Sequence, residues 1–211
     1  MKNMKWFVMA VLLVSIAFGQ YKGEQETLLQ GKLHLGGFGA PVIKFTQMND
    51  NFAVLVGGRG GLILNQRLVI GGGGYGLVND VPVEISPDST RYIDFGYGGM
   101  ELGWVFASNR LVHLDLSTLF AAGGIGYRDA IFKDWDTDWD NDWNNDFHVD
   151  SHVDAVFILE PTLNVVLNIT RFVRLDVGAS YRYIYGVDDE ILDAAKLSGA
   201  TVNLALKFGA F

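Results

Sequence analysis

Ala200-Thr201-Val202-Asn203-Leu204-Ala205-Leu206-Lys207-Phe208-Gly209-Ala210-Phe211 alternates with a period of two: Val202, Leu204, Leu206 and Phe208 fall on one side of an extended chain, Thr201, Asn203, Ala205 and Lys207 on the other. Successive side chains of a strand point to opposite faces, so this stretch is a strand with one greasy face and one polar or small one.

The pattern recurs upstream. Leu33, Leu35, Ile43 and Phe45 share a parity opposite Lys32, His34, Lys44 and Thr46, with a bend near Pro41, and Met48-Asn49-Asp50-Asn51 is a turn. Phe52, Val54, Val56, Leu62 and Leu64 then face away from Arg59, and Asn65-Gln66 reverses the chain tightly. The third strand, Arg67 to Leu77, contains Gly71-Gly72-Gly73-Gly74, and its Val69, Tyr75 and Leu77 are assigned outward. In the fourth, Arg91 to Phe106, Ile93, Phe95 and Tyr97 keep one phase while Met100, Leu102 and Trp104 keep the other; a bulge at Gly98-Gly99 would reconcile them. Val112, Leu114, Leu116 and Phe120 oppose His113, Asp115 and Ser117 in the fifth, and Phe157, Leu163, Val165 and Leu167 oppose Asp154, Glu160, Thr162 and Asn164 in the sixth. The seventh sets Val173, Leu175, Val177, Tyr181, Tyr183 and Tyr185 against Arg174, Asp176, Ser180 and Arg182, and the opening stretch is the eighth.

The connections fall into two kinds. Those after strands two, four and six are tight, whereas those after one, three, five and seven include three long polar ones, over residues 78–90, 127–152 and 187–198. An even strand count with short turns at one end and long loops at the other resembles a bacterial outer-membrane barrel, specifically the small OmpA/OmpX-type architecture. The fold this implies is all-β: an eight-stranded antiparallel up-and-down transmembrane β-barrel. In that family an aromatic closing residue belongs to the assembly signal, a role the resemblance implies for Phe211, although here it falls in the polar phase.

A lipocalin-like soluble barrel alternates as well, with its greasy face inward. Three features favour lipid outside. Strands of about 12 to 17 residues exceed the globular norm and suffice for a tilted span. Tyr183 and Tyr185 lie beside a long loop and Trp104 beside a short turn, as in the two interfacial aromatic girdles. Finally, Lys32, Lys44, Arg59, Glu101, Asp115, Glu160, Arg174, Asp176, Arg182 and Lys207 all share the polar phase. Charges of both signs inside so narrow a barrel would pair into a plug, which argues against a wide pore.

Residues 1–19 carry Lys2, Lys5, an apolar run from Trp6 to Phe18 and a small-residue boundary at Ala17-Phe18-Gly19, the pattern of a Sec signal peptide too short to span a bilayer. Residues 20–211 then form a single barrel domain destined for the outer membrane of a Gram-negative-type bacterium. Removing the leader takes the formal charge from −8 to −10, because two lysines and no acids are lost (14 basic against 24 acidic residues). Nucleic acid is therefore an unsuitable partner. The chain has no Cys, which excludes a disulfide framework.

Two segments are candidates for binding. Asp134-Trp135-Asp136-Thr137-Asp138-Trp139-Asp140-Asn141-Asp142-Trp143 repeats an aromatic every four residues among acids. Carboxylates in that density offer hard oxygen ligands to Ca²⁺, and exposed Trp stacks on sugar rings or enters the headgroup region. It is not an EF-hand, since the sixth position from Asp136 is Asn141 rather than Gly. His148, Asp150 and His152 share one parity and would project together at the barrel mouth as a metal site or an acid/base pair, whereas Ser151 has the opposite parity and spoils a Ser-His-Asp assembly. Both segments also read simply as solvated loop polarity. The glycine runs Gly57-Gly58-Arg59-Gly60-Gly61 and Gly71 to Gly74 lack the Lys-Ser/Thr of a phosphate loop.

The expectation is a non-enzymatic, monomeric barrel, needing no cofactor unless Ca²⁺ binds, anchored in outer-membrane lipid and presenting acidic Trp-rich loops to an extracellular glycan or protein. A rim hydrolase using His148, Asp150 and His152, a narrow channel and a soluble lipocalin-like barrel are the alternatives.

Overall fold

Nine antiparallel strands close into a ring in the computed structural model, which describes residues 34–86, 89–128, 154–187 and 193–211. The strands are β1 (Leu35–Met48), β2 (Asn51–Leu64), β3 (Leu68–Leu77), β4 (Pro82–Ser86), β5 (Ser89–Phe106), β6 (Val112–Arg128), β7 (Asp154–Asn168), β8 (Val173–Tyr185) and β9 (Gly199–Ala210), with one helical turn, α1 (Ala194–Leu197), before β9. Each strand pairs with the next, except that β3 pairs with β5 rather than β4, and β1 pairs with β9 through Gly37↔Ala210 to Thr46↔Thr201. β3 and β4 run end to end along β5, so they count as one barrel strand interrupted at residues 78–81: Gly76 faces Gly96, then Pro82 faces Tyr92. The result is an eight-stranded antiparallel barrel. The ring closes through the β3–β5 pairing, and of the described strands only the short β4, which pairs with β5 alone, keeps an edge without a strand partner; closure is the condition under which strands can cross hydrocarbon.

The turns follow local chemistry. Asn49 and Asp50 have φ of 48° and 60°, and Asn65 and Gln66 have φ of 50° and 59°. Positive φ at both central residues defines the hairpin turn whose twist suits a β-ribbon, and Asn and Asp tolerate it better than most residues. The other connections at the end that holds Asn65 and Gln66, 107–111 and 169–172, are also short, at five and four residues.

The outward face is a belt of large apolar side chains. Leu163, Leu204 and Phe157 are 50%, 42% and 67% exposed, while Glu160 and Arg182 are both fully enclosed at 0%. A water-soluble barrel would show the reverse, so the outer surface is the one that meets lipid. No helix of the described residues is long and apolar enough to cross a membrane, which leaves strands as the spanning elements.

Two expectations about facing are corrected. Val69, Tyr75 and Leu77 point inward and are buried, leaving Ile70 and the glycines at 72, 74 and 76 on the outside. No bulge interrupts β5 at Gly98-Gly99: the register against β6 is continuous from Tyr92↔Arg128 to Phe106↔Leu114, and against β3 from Leu68↔Trp104 to Gly76↔Gly96. Ile93, Phe95 and Tyr97 simply face the interior, and Met100 and Leu102 face lipid. Both corrections have one cause. The half of the interior nearest the long loops is apolar, packed with Met48, Leu55, Leu77, Ile93, Phe95, Ile125, Val156, Ile158 and Ile184, so hydrophobicity there does not distinguish the two faces.

Candidate functional site

The polar half of the interior holds two ionic clusters. In the first, Lys44 on β1 places Nζ 2.8 Å from both carboxylate oxygens of Glu160 on β7. Tyr97 Oη donates to Glu160 Oε2 at 2.7 Å and Ser180 Oγ to Oε1 at 2.6 Å, while the Tyr75 ring centroid lies 3.4 Å from the ammonium. The carboxylate thus has three donors and the cation an aromatic face, the arrangement that makes enclosed charge tolerable.

Arg59 of β2 is the node of the second. Its Nη1 donates to Glu101 at 2.6 Å and Nη2 to Asp176 at 2.6 Å, with Asp115 Oδ2 3.6 Å away. Lys207 Nζ lies 3.0 Å from Asp115 and 2.9 Å from Asp176. The planar guanidinium can bridge two carboxylates because its donors are fixed in a fork. Arg174 stacks on the Phe211 ring at 3.8 Å from its centroid, which explains why Phe211 sits in the polar phase. Between the clusters a cavity of about 20 Å³, lined in part by Ser117, Thr162, Asn164 and Asn203, has room for about one water.

Arg182 is different. Fully buried near the loop end, it donates through Nε and Nη2 to the carbonyl of Leu197, at 3.2 and 2.9 Å. Leu197, the last residue of α1, is itself buried in the apolar half of the interior. The β3–β4 junction packs at the same end: Val81 and Val83 are buried there, and Ile93 N donates to Val81 O at 2.9 Å. Asn49 ties both segments to the β1–β2 turn, its backbone N donating to Lys196 O at 2.8 Å and its Nδ2 to Pro82 O at 3.1 Å. Arg128 and Asp80 add an ion pair of 2.8 Å at the rim.

Of the residues singled out from sequence, Lys44, Arg59, Glu101, Asp115, Glu160, Arg174, Asp176, Arg182 and Lys207 are enclosed in the barrel. Lys32, Trp135, Asp136, Asp138, Trp139, Asp140, Asp142, Trp143, His148, Asp150 and His152 lie outside the described residues. Among the described residues no group of three His, Cys, Asp or Glu side chains is placed to hold a metal ion. Sequence reading missed Tyr97 and Ser180 as partners of Glu160, Tyr75 as the ring over Lys44, and Asn49 as more than a turn residue. The available signal was the charge of Lys44 and Glu160, since enclosed ions need further donors and acceptors close by.

No protein-family model matches the chain, and no curated protein matches it. Among solved structures, Neisserial surface protein A is similar over 84% of this chain and 99% of its own, with a TM-score of 0.53 at 10% identity. Ail of Yersinia pestis, in a complex with the heparin analogue sucrose octasulfate, covers 83% and 97% with a TM-score of 0.45 at 14% identity. A second structure of Ail gives 0.44 at 12% identity over the same shares. With its hydrocarbon-facing belt and its closed antiparallel ring, the chain has the fold of the small eight-stranded outer-membrane β-barrels of the OmpA/OmpX type.

Proposed function

We propose that this barrel is a non-enzymatic, non-conducting outer-membrane scaffold that holds recognition loops at the cell surface. The observation that carries the reading is the anchoring of the described part of the loop end: α1 and residues 81–83 are seated on the apolar interior and joined through Asn49, which makes that part a fixed platform. The ionic clusters beneath fill the cross-section with paired charges, which supports a plug role for Lys44, Arg59 and their partners. The segment between β6 and β7, bearing Trp135, Trp139 and Trp143 among Asp136, Asp138, Asp140 and Asp142, supplies the chemistry for contact with an extracellular glycan or protein. Its carboxylates suit Ca²⁺ as an accessory ion.

The test is deletion of residues 134–147 in cells that display the barrel. The deleted protein should still fractionate with outer membranes and show heat-modifiable migration, while binding to glycan arrays and immobilised matrix proteins falls. Unchanged binding across the panels would sink the reading. Planar-bilayer recordings of the purified protein should show no steady conductance.

A further inference from the structure

Charge is divided unevenly between the two ends of the barrel. The three long connections, 78–90, 127–152 and 187–198, contain 15 acidic and 3 basic residues, whereas the three short ones that hold Arg67, Arg110 and Arg171 contain one arginine each and no acid. These short connections lie between β2 and β3, β5 and β6, and β7 and β8, so the arginines are distributed round the ring rather than gathered in one pocket. All three are exposed, and among the described residues none of their side chains has an acidic partner. The flanking strands offer them none. β2 and β3 contain no acid, and the first acids met along the other four, Glu101, Asp115, Glu160 and Asp176, are buried and already paired with Arg59, Lys207 and Lys44.

The neighbours of two of these arginines are apolar. Leu111, Ile169 and Phe172 are 69%, 53% and 63% exposed and belong to the connections themselves, so the greasy belt continues past the strand ends as far as the guanidinium groups. A water-soluble partner or a polar polymer gives such side chains no benefit. A bilayer does, because the apolar groups enter hydrocarbon while each arginine reaches up to the level of the phosphates. Short turns mark the periplasmic end of an outer-membrane barrel, which meets the phospholipid leaflet. The fork of guanidinium donors matches a phosphate. A zwitterionic headgroup would also bring an ammonium to turns that carry no carboxylate side chain, whereas an anionic headgroup brings none. We propose that Arg67, Arg110 and Arg171 form a collar that binds the phosphates of anionic phospholipids, phosphatidylglycerol above all, in the periplasmic leaflet. The proposal does not depend on what the surface loops recognise.

The test uses the purified full chain in detergent, offered equal amounts of phosphatidylglycerol, phosphatidylethanolamine and phosphatidylcholine, with bound lipid counted by native mass spectrometry. The chain as a whole is acidic, at −8, so its net charge alone disfavours the anionic lipid. The collar predicts the opposite, a preference for phosphatidylglycerol of about five-fold that weakens as salt is raised. Arg67→Gln, Arg110→Gln and Arg171→Gln should each remove part of it, and the triple variant should bring the three lipids to parity. The triple Arg→Lys variant should keep the preference, as should Lys196→Gln, which removes an exposed cation at the loop end. Heat-modifiable migration verifies that each variant is folded. Equal retention by the unaltered protein, a preference that survives the triple Gln variant, or an equal loss on Lys196→Gln would overturn the assignment. So would a triple Gln variant that releases isolated peptidoglycan while its lipid retention stays unchanged.

Discussion

Lys44 and Glu160 meet across the barrel interior from β1 and β7, strands separated in the ring by β8 and β9, with the ammonium 2.8 Å from each carboxylate oxygen. Glu160→Gln leaves Lys44 enclosed without a counter-charge and should destabilise the barrel by about 3 kcal/mol or more. Replacing both, as Lys44→Met with Glu160→Leu, should recover most of that loss, because the desolvation of two ions disappears with their attraction. Urea unfolding of the refolded protein in lipid vesicles checks both; a single variant as stable as the parent would refute the enclosed pair.

Arg182 is predicted to latch the last loop. Arg182→Met removes both bonds to the Leu197 carbonyl and should let α1 lift from the mouth. Trypsin cuts after Lys196, so limited proteolysis there should accelerate on the order of ten-fold, given the strength of a hydrogen bond from a charged donor. Cleavage at parental rate would show that the latch is dispensable.

Asn49 allows a separation of side chain from backbone. Asn49→Gly tolerates the positive φ of 48° and loses only the bond to Pro82 O. Asn49→Ala loses that bond and also strains a left-handed position, a further cost of about 1 kcal/mol. Thermal unfolding should therefore rank parent above Gly and Gly above Ala.

Gly57 faces the interior directly beside Tyr75. A Cβ there would lie 2.8 Å from Tyr75 Cδ1 and against the Gly74 carbonyl. Gly57→Ala should thus displace the ring that covers Lys44 and cost about 1 to 3 kcal/mol as overpacking. Near-ultraviolet dichroism, which reports tyrosine environment, should change with it.

How far the sequence could be read depended on contrast between the two faces. β9 and β8 were legible because Val202, Leu204, Val177 and Tyr183 oppose Asn203, Lys207, Asp176 and Arg182, and a one-residue error would reverse every member. β3 was not, because Val69, Tyr75 and Leu77 line an apolar interior while glycines occupy the lipid side. The same loss of contrast in β5 suggested a bulge where the register runs straight. Charged interior residues could be picked out by parity, but not paired, since Arg59 and Asp176 are far apart in sequence and are brought together only by ring closure. Asn49 looked like any turn residue, because its partners Lys196 and Pro82 come from connections with no periodic signal.

The apolar packing beneath the mouth has a practical corollary. Leu197, Val81 and Val83 rest on side chains supplied by the barrel itself, not on lipid. The geometry of the outer end should consequently persist when the bilayer is exchanged for a micelle, so affinities measured on solubilised material would report the surface that the living cell exposes.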